Sequence, residues 1–286
     1  MMSSALGWRI SNGLTPENNH MAALSEIRQQ VCRQTARDLL AKIKVGSPQE
    51  IDLEVLAYAA GELLIEEGGL DTAEGRIVAS PGGGGFIRVR TGLNPARARF
   101  TVAHEIGHYV MHPLVPHDRQ HTARDFTIWN DASEEAEANV FAAELLMPEF
   151  LFKPRSRGKS PSLALLDSLA EEFNCSFMAT AFQYVHYTNE QVALVVSEGD
   201  SISWVKRAKD FWPRIMMGKI QPHSAAGERL SGKAGDTGKM VRSPVYAWLS
   251  NFENDRDHDI MEDTRFLEYY DRMITLLWMK EELEER

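Results

Sequence analysis

Apolar residues recur at helical spacing over residues 21–45, where Leu24, Ile27, Val31, Thr35, Leu39 and Ile43 fall on one stripe with Arg and Gln opposite. Gly46-Ser47-Pro48 ends that run, and residues 51–60 predict a shorter helix. Three strand-like runs follow at 63–66, 75–79 and 86–90, the last two joined by Ser80-Pro81-Gly82-Gly83-Gly84-Gly85. A strand rather than a helix follows these glycines and no Lys-Ser/Thr pair completes a phosphate loop, so they read as a hairpin turn. Residues 86–90 are expected to be an edge strand, able to take an extended peptide as one more strand. Residues 94–112 predict the best-defined helix, with Asn94 as cap, Pro95 in its first turn and Pro113 as its stop. A polar connection of 20 residues, unusual in a compact domain and suited to a lid, then leads to a second helix over 133–147. His117 and His121 in that connection read as solvated loop histidines. The second helix is capped by Ser133, acidic in its first turn and ended by Pro148.

Beyond it, residues 160–188 predict two short helices in a helix-turn-helix-like arrangement. Residues 192–196 and 201–205 predict paired strands about a Glu198-Gly199-Asp200 turn, and 245–249 and 273–279 are buried-type apolar runs before an acidic tail. The first 20 residues carry no periodicity and are expected to form a mobile tail.

Composition narrows the function classes. A chain of 286 residues suggests two domains, and 43% hydrophobic with 25% charged residues is ordinary for a globular protein. No apolar run approaches the ~20 residues of a membrane span, and the first residues lack a signal-peptide core. Two well-separated cysteines, Cys32 and Cys175, read as free thiols in a reducing cytoplasm. The net charge of −10 argues against a nucleic-acid binder. Residues 160–188 contain no Lys or Arg, so the helix-turn-helix-like segment lacks the groups that contact phosphates and bases and reads as a packing hairpin. The basic stretch of Lys206, Arg207, Lys209, Arg214 and Lys219 beside Trp204, Phe211 and Trp212 reads as a solvated face over core aromatics.

The candidate chemistry lies in His104-Glu105-Ile106-Gly107-His108. Residues four apart on a helix stand one turn above each other, with Cβ atoms about 5–6 Å apart. Two such imidazoles can share one zinc ion at about 2.0–2.1 Å, and Glu105 can reach a water on the metal as general base. Apolar Phe100, Val102, Ala103, Ile106 and Val110 surround the pair, so it is expected to be buried and to need a partner. Gly107 costs about 1 kcal/mol inside a helix, which the close approach of a substrate or a second backbone would justify. A third ligand is required. A metzincin would have Gly and His three and six residues after His108, where Met111 and Leu114 stand. His112 is one turn too far along the axis. An acidic residue of the downstream helix remains, with Glu135 chosen over Glu134 and Glu137, and Asn139 as a hydrogen-bond acceptor for a ligating imidazole.

The stretches R-F-T-V-A-H-E-I-G-H-Y-V-M-H and E-A-E-A-N-V-F-A-A-E-L-L-M-P together resemble the signature of the ImmA/IrrE zinc metallopeptidases. The resemblance implies a zincin-like (thermolysin-like) metallopeptidase domain, with His104, His108 and Glu135 as Zn2+ ligands and Glu105 as catalytic base. It also implies a bacterial or phage regulator that inactivates a helix-turn-helix repressor, with the repressor as its protein substrate. The expected fold class is therefore α+β. It comprises a tail at 1–20, a zincin-like domain at 21–159, a helical hairpin at 160–188 and a small mixed α/β C-terminal accessory domain at 189–286. The expected activity is a cytoplasmic zinc endopeptidase that cleaves a repressor, with no direct nucleic-acid or membrane binding. The alternatives are an anti-repressor that binds without cleaving and a zinc hydrolase of small non-peptide substrates.

Overall fold

The computed structural model describes residues 24–80, 83–112, 118–122, 133–250, 252, 254–268 and 271–280. The expected tail at 1–20, His117 and most of the long connection lie outside them. Eight α-helices and two sheets among the described residues give an α+β fold.

Helix α1 (Glu26–Leu40) starts at Ser25, whose side chain accepts a hydrogen bond from the Arg28 amide. Its inward face is not the expected stripe. Cys32, Arg33, Ala36, Leu39 and Leu40 are buried, while Ile27 and Val31 are 80% and 42% exposed. The helix is rotated because Arg33 must meet its partner: its guanidinium reaches Glu144 at 2.9 Å and the Gln183 carbonyl at 2.8 Å, all buried. Leaving that arginine unpaired inside would cost more than exposing two aliphatic side chains.

Helix α2 (Leu53–Gly61) is capped by Asp52 and closed by Glu62 in the left-handed region. The first sheet then forms from β1 (Leu63–Gly68), β2 (Gly75–Ala79), β3 (Gly85–Arg90) and, after helix α3 (Pro95–Met111), β4 (Asp118–His121). Its order is β1-β3-β2-β4, with β1 parallel to β3 and the other pairs antiparallel. This corrects the edge-strand expectation for residues 86–90. A β2–β3 hairpin offers two outer edges, and its alternation does not say which one β1 will fill. Here β1 takes β3, in a register that sets Ile65 opposite Ile87. Among the described residues the outer strands are β1 and β4.

Helices α4 (Glu134–Leu146), α5 (Glu149–Ser156), α6 (Leu163–Phe173) and α7 (Phe177–Tyr187) follow. The α6–α7 turn is made by Asn174 in the left-handed region, as helix ends often are. Helix α7 is buried on nearly every side: Gln183 bonds to Glu144 and the Met147 carbonyl, and Phe182 packs edge-on against Trp204.

The second sheet holds β5 (Val192–Glu198), β6 (Ser201–Arg207), β7 (Val241–Pro244), β8 (Asp259–Leu267) and β9 (Arg272–Trp278), in the antiparallel order β6-β5-β9-β8-β7. The period-2 alternation sorts its two faces. Val192, Leu194, Val196, Ile274 and Leu276 join the core that runs back through the hairpin to α1, whereas Ala193, Val195, Met273 and Leu277 join a second core around Trp248. Helix α8 (Ala225–Leu230) lies over that second core, its first amides bonded to the buried Glu262 carboxylate. Asp263 accepts the Leu163 amide at 2.8 Å, and Arg265 pairs with Asp167, so β8 fixes the start of α6. Cys32 and Cys175 are both buried free thiols. Among the described residues no helix is long and apolar enough to cross a membrane.

Candidate metal centre

Helix α3 begins where its caps dictate: Asn94 accepts from the Ala96 amide, Pro95 occupies the first turn, and the helix ends at His112. Its middle is buried from Phe100 to His108. It crosses α4 at Gly107, where a Cβ would come within 3.0 Å of the Phe141 ring and 3.3 Å of the Ala138 backbone. The second backbone anticipated at this glycine is thus α4. The tight crossing lets a carboxylate in the first turn of α4 reach the imidazoles of α3.

His104 Nε2 and His108 Nε2 lie 2.9 Å apart, and Glu135 Oε2 is 3.2 and 3.3 Å from them. Three donors on a tetrahedron with arms of about 2.0–2.1 Å would be about 3.3 Å apart. The outer ring nitrogens orient the inner ones. His104 Nδ1 donates to Asn139 Oδ1 at 2.9 Å, which leaves a lone pair on Nε2. His108 Nδ1 faces His112 Nδ1 at 3.1 Å, and His112 Nε2 faces the Glu137 carboxylate at 3.0 Å. With Nε2 donating to Glu137, His112 accepts from His108 at Nδ1, so His108 Nε2 also carries a lone pair inward. Two lone pairs and a carboxylate oxygen converge on one point, an arrangement that a cation fits. Burial, reinforced by the neighbouring His104, pushes His108 down to about 4, and burial likewise lowers His104. Both are thus neutral and available as ligands at neutral pH. Burial works against the Glu135 charge, yet hydrogen bonds to His104, His108 and His121 hold it well below the usual carboxylate range.

The structure corrects the reading of His121 as a solvated loop histidine. It is the last residue of β4 and 2% exposed. Its ring stacks on His108 with centroids 4.4 Å apart, its Nδ1 is 2.8 Å from Glu105 Oε1, and its Nε2 is 3.5 Å from Glu135 Oε1. Burial disfavours its charge, but the two carboxylates outweigh burial and raise it to about 10. A four-residue polar strand gives no hydrophobic alternation to detect, so the only sequence signal was a histidine-bearing connection directly after the α3 motif. His104, His108, His121 and Glu135 together form a group that could hold a metal ion, with one ligand atom from each lying within 4.8 Å of the others.

Glu105 is fully buried. One carboxylate oxygen bonds to His121, while Oε2 has no hydrogen-bond partner among the described residues. Its other wall is β2: a Cβ at Gly75 would strike Glu105 Oε1 and Thr101 Cγ2. Glu137 turns away from the convergence point, to His112 and to the Arg28 guanidinium. Burial opposes its charge, but those two partners hold it below its ordinary value. Glu134, the remaining glutamate of that turn, is half-buried.

Two helices and the end of an outer strand therefore make a possible His/Glu metal site inside an α+β protein. Residues 57–184, which carry all of it, match the family model of the IrrE N-terminal-like domain, Peptidase_M78. Over these residues the chain is similar to that family's domain. Immunity region protein 2 of Bacillus phage phi105 is 35% identical over 68 residues, which is 23% of this chain and 40% of the phage protein. A Mycobacterium tuberculosis transcriptional regulator has a similar fold, with a TM-score of 0.54 and 13% identity over 89% of this chain and 77% of its own. At that identity the likeness concerns fold alone.

Proposed function

We propose that the protein is a zinc-dependent endopeptidase of thermolysin-like zincin architecture. Its role would be to inactivate a helix-turn-helix repressor in the cytoplasm by cutting it. The observation that carries this reading is the convergence of His104, His108 and Glu135 with a buried glutamate, Glu105, next to the first of them. These three residues would hold the metal. Zinc, when bound, supplies Lewis acidity toward a scissile carbonyl and lowers the pKa of water. Glu105 takes the proton from the attacking water on its free Oε2 and returns it to the leaving amine. His121, bonded to the other oxygen, fixes that carboxylate and presents Nε2 toward the reacting centre. Strand β4 ends at the site and is outermost among the described strands, so an extended peptide would add along it by backbone hydrogen bonds. A repressor as substrate is supported by the family and by charge. With a net charge of −10 and α7 buried, the protein is poorly suited to hold DNA itself.

The test incubates zinc-loaded protein with candidate repressors and follows fragments by mass spectrometry. Wild-type protein is expected to cut one exposed segment, and Glu105→Gln to keep its zinc while cleavage falls by about 10²–10⁴-fold. Tight binding without fragments would replace this reading by an anti-repressor that acts by binding alone.

A further inference from the structure

Behind His108 runs a line of hydrogen bonds that the proposed chemistry does not use. His104, His108 and His112 stand one helical turn apart on a single face of α3. His112 bridges from His108 Nδ1 to Glu137 Oε2 at 3.1 and 3.0 Å, and Glu137 takes a bidentate grip from Arg28 Nε and Nη2 on α1. The line leaves the interior in steps. The His108 and His112 side chains are almost buried, that of Glu137 is 11% exposed, and that of Arg28 is 41% exposed. His104 is backed differently, by the Asn139 amide oxygen.

We propose that His112, Glu137 and Arg28 are positioning residues that set the metal affinity of the site through His108. This rests on the zinc reading of His104, His108 and Glu135. The argument is one of proton order. The Glu137 carboxylate accepts, so His112 donates to it from Nε2 and accepts at Nδ1. His108 must then hold its proton on Nδ1 and offer Nε2 to the metal. A carboxylate passing its pull through one imidazole to a ligating imidazole fixes the tautomer and the ring angle and raises ligand basicity, whereas an amide does mainly the first two. Arg28, gripping both carboxylate oxygens, aims Glu137 at His112. The strength of His108 as a ligand therefore depends on a salt bridge to the exposed start of α1.

The experiment measures zinc dissociation constants by chelator competition, and the absorption spectrum of the cobalt-substituted protein, for wild type, His112→Leu, His112→Asn and Arg28→Gln. Unfolding of the metal-free proteins is monitored alongside. His112→Leu is expected to weaken zinc by about 10–100-fold. His112→Asn places an amide oxygen where Nδ1 stood but has no group to reach Glu137, so it is expected to restore the His108 tautomer and to recover only part of that loss. Arg28→Gln is expected to fall between wild type and His112→Leu, with a shifted cobalt spectrum. Wild-type protein that binds no zinc would remove the site reading itself. Wild-type binding with His112→Leu within about threefold of it would overturn the relay alone. If His112→Leu does not fold, Arg28→Gln at the exposed end decides, and unchanged affinity and spectrum there also overturn the relay.

Discussion

Glu105, Glu135 and Glu137 are one residue type within reach of the same two helices, and each meets a different environment. Glu105 is dry, bonded to His121 through one oxygen and unpartnered on the other. Glu135 faces two imidazole lone pairs, and Glu137 faces an arginine. Substitution should separate them. Glu135→Ala is expected to lose stoichiometric zinc and Glu134→Ala to keep it. His121→Ala is expected to keep zinc while cleavage drops by about 10²–10⁴-fold, since His121 orders the base rather than the metal. Zinc content by mass spectrometry, read beside peptide cleavage, checks all three, and a His121→Ala protein devoid of zinc would make that histidine a ligand. The closeness of His104 and His108 was legible because helical spacing is rigid, whereas Glu135 lies on another helix and was reached through the resemblance of the acidic stretch to a family pattern. His121 was not legible, because its place depends on the β2–β4 pairing, which brings the far end of a long polar connection back to the helix.

Two glycines show how elements are held together. Gly75 lets β2 lie against the Glu105 carboxylate, and Gly107 lets α3 touch the α4 backbone. Gly75→Ala is expected to displace Glu105 and Thr101, leaving zinc bound while turnover falls by about 10²-fold. Gly107→Val is expected to push the two helices apart, destabilising the protein by about 1–3 kcal/mol in urea unfolding and weakening zinc as Glu135 moves away. Normal zinc affinity in Gly107→Val would show that the crossing does not set the ligand distance. Helix ends were legible where a cap marked them, as at Asn94 and Ser133. Which face of α1 turned inward was not, because the buried Arg33–Glu144 pair outweighed the apolar stripe. Nor could the period of β3 reveal that both its edges would be filled.

Across the whole molecule, the α6–α7 hairpin packs against α4 on one side and the second sheet on the other, inside one continuous core. Unfolding is therefore expected to be a single cooperative transition, with calorimetric and van't Hoff enthalpies in agreement. Two resolved transitions would show that the two sheets melt separately. By the same packing, a chain cut at residue 188 would expose the face of α7 that Trp204 and β5 cover. The breadth of this core was beyond the sequence, since a buried helix and a solvated one differ less in pattern than in what lies beside them. The order of the second sheet adds a matter of timing. Strand β9, the last of the described strands, sits between β5 and β8 rather than at a margin. A ribosome adding 5–20 residues per second needs roughly 4–17 s to travel from α7 to β9. Throughout that interval the histidines of α3 already exist while the core beneath α7 is still open. The growing chain then exposes apolar surface of the kind chaperones bind, and it is the arrival of β9 that covers it.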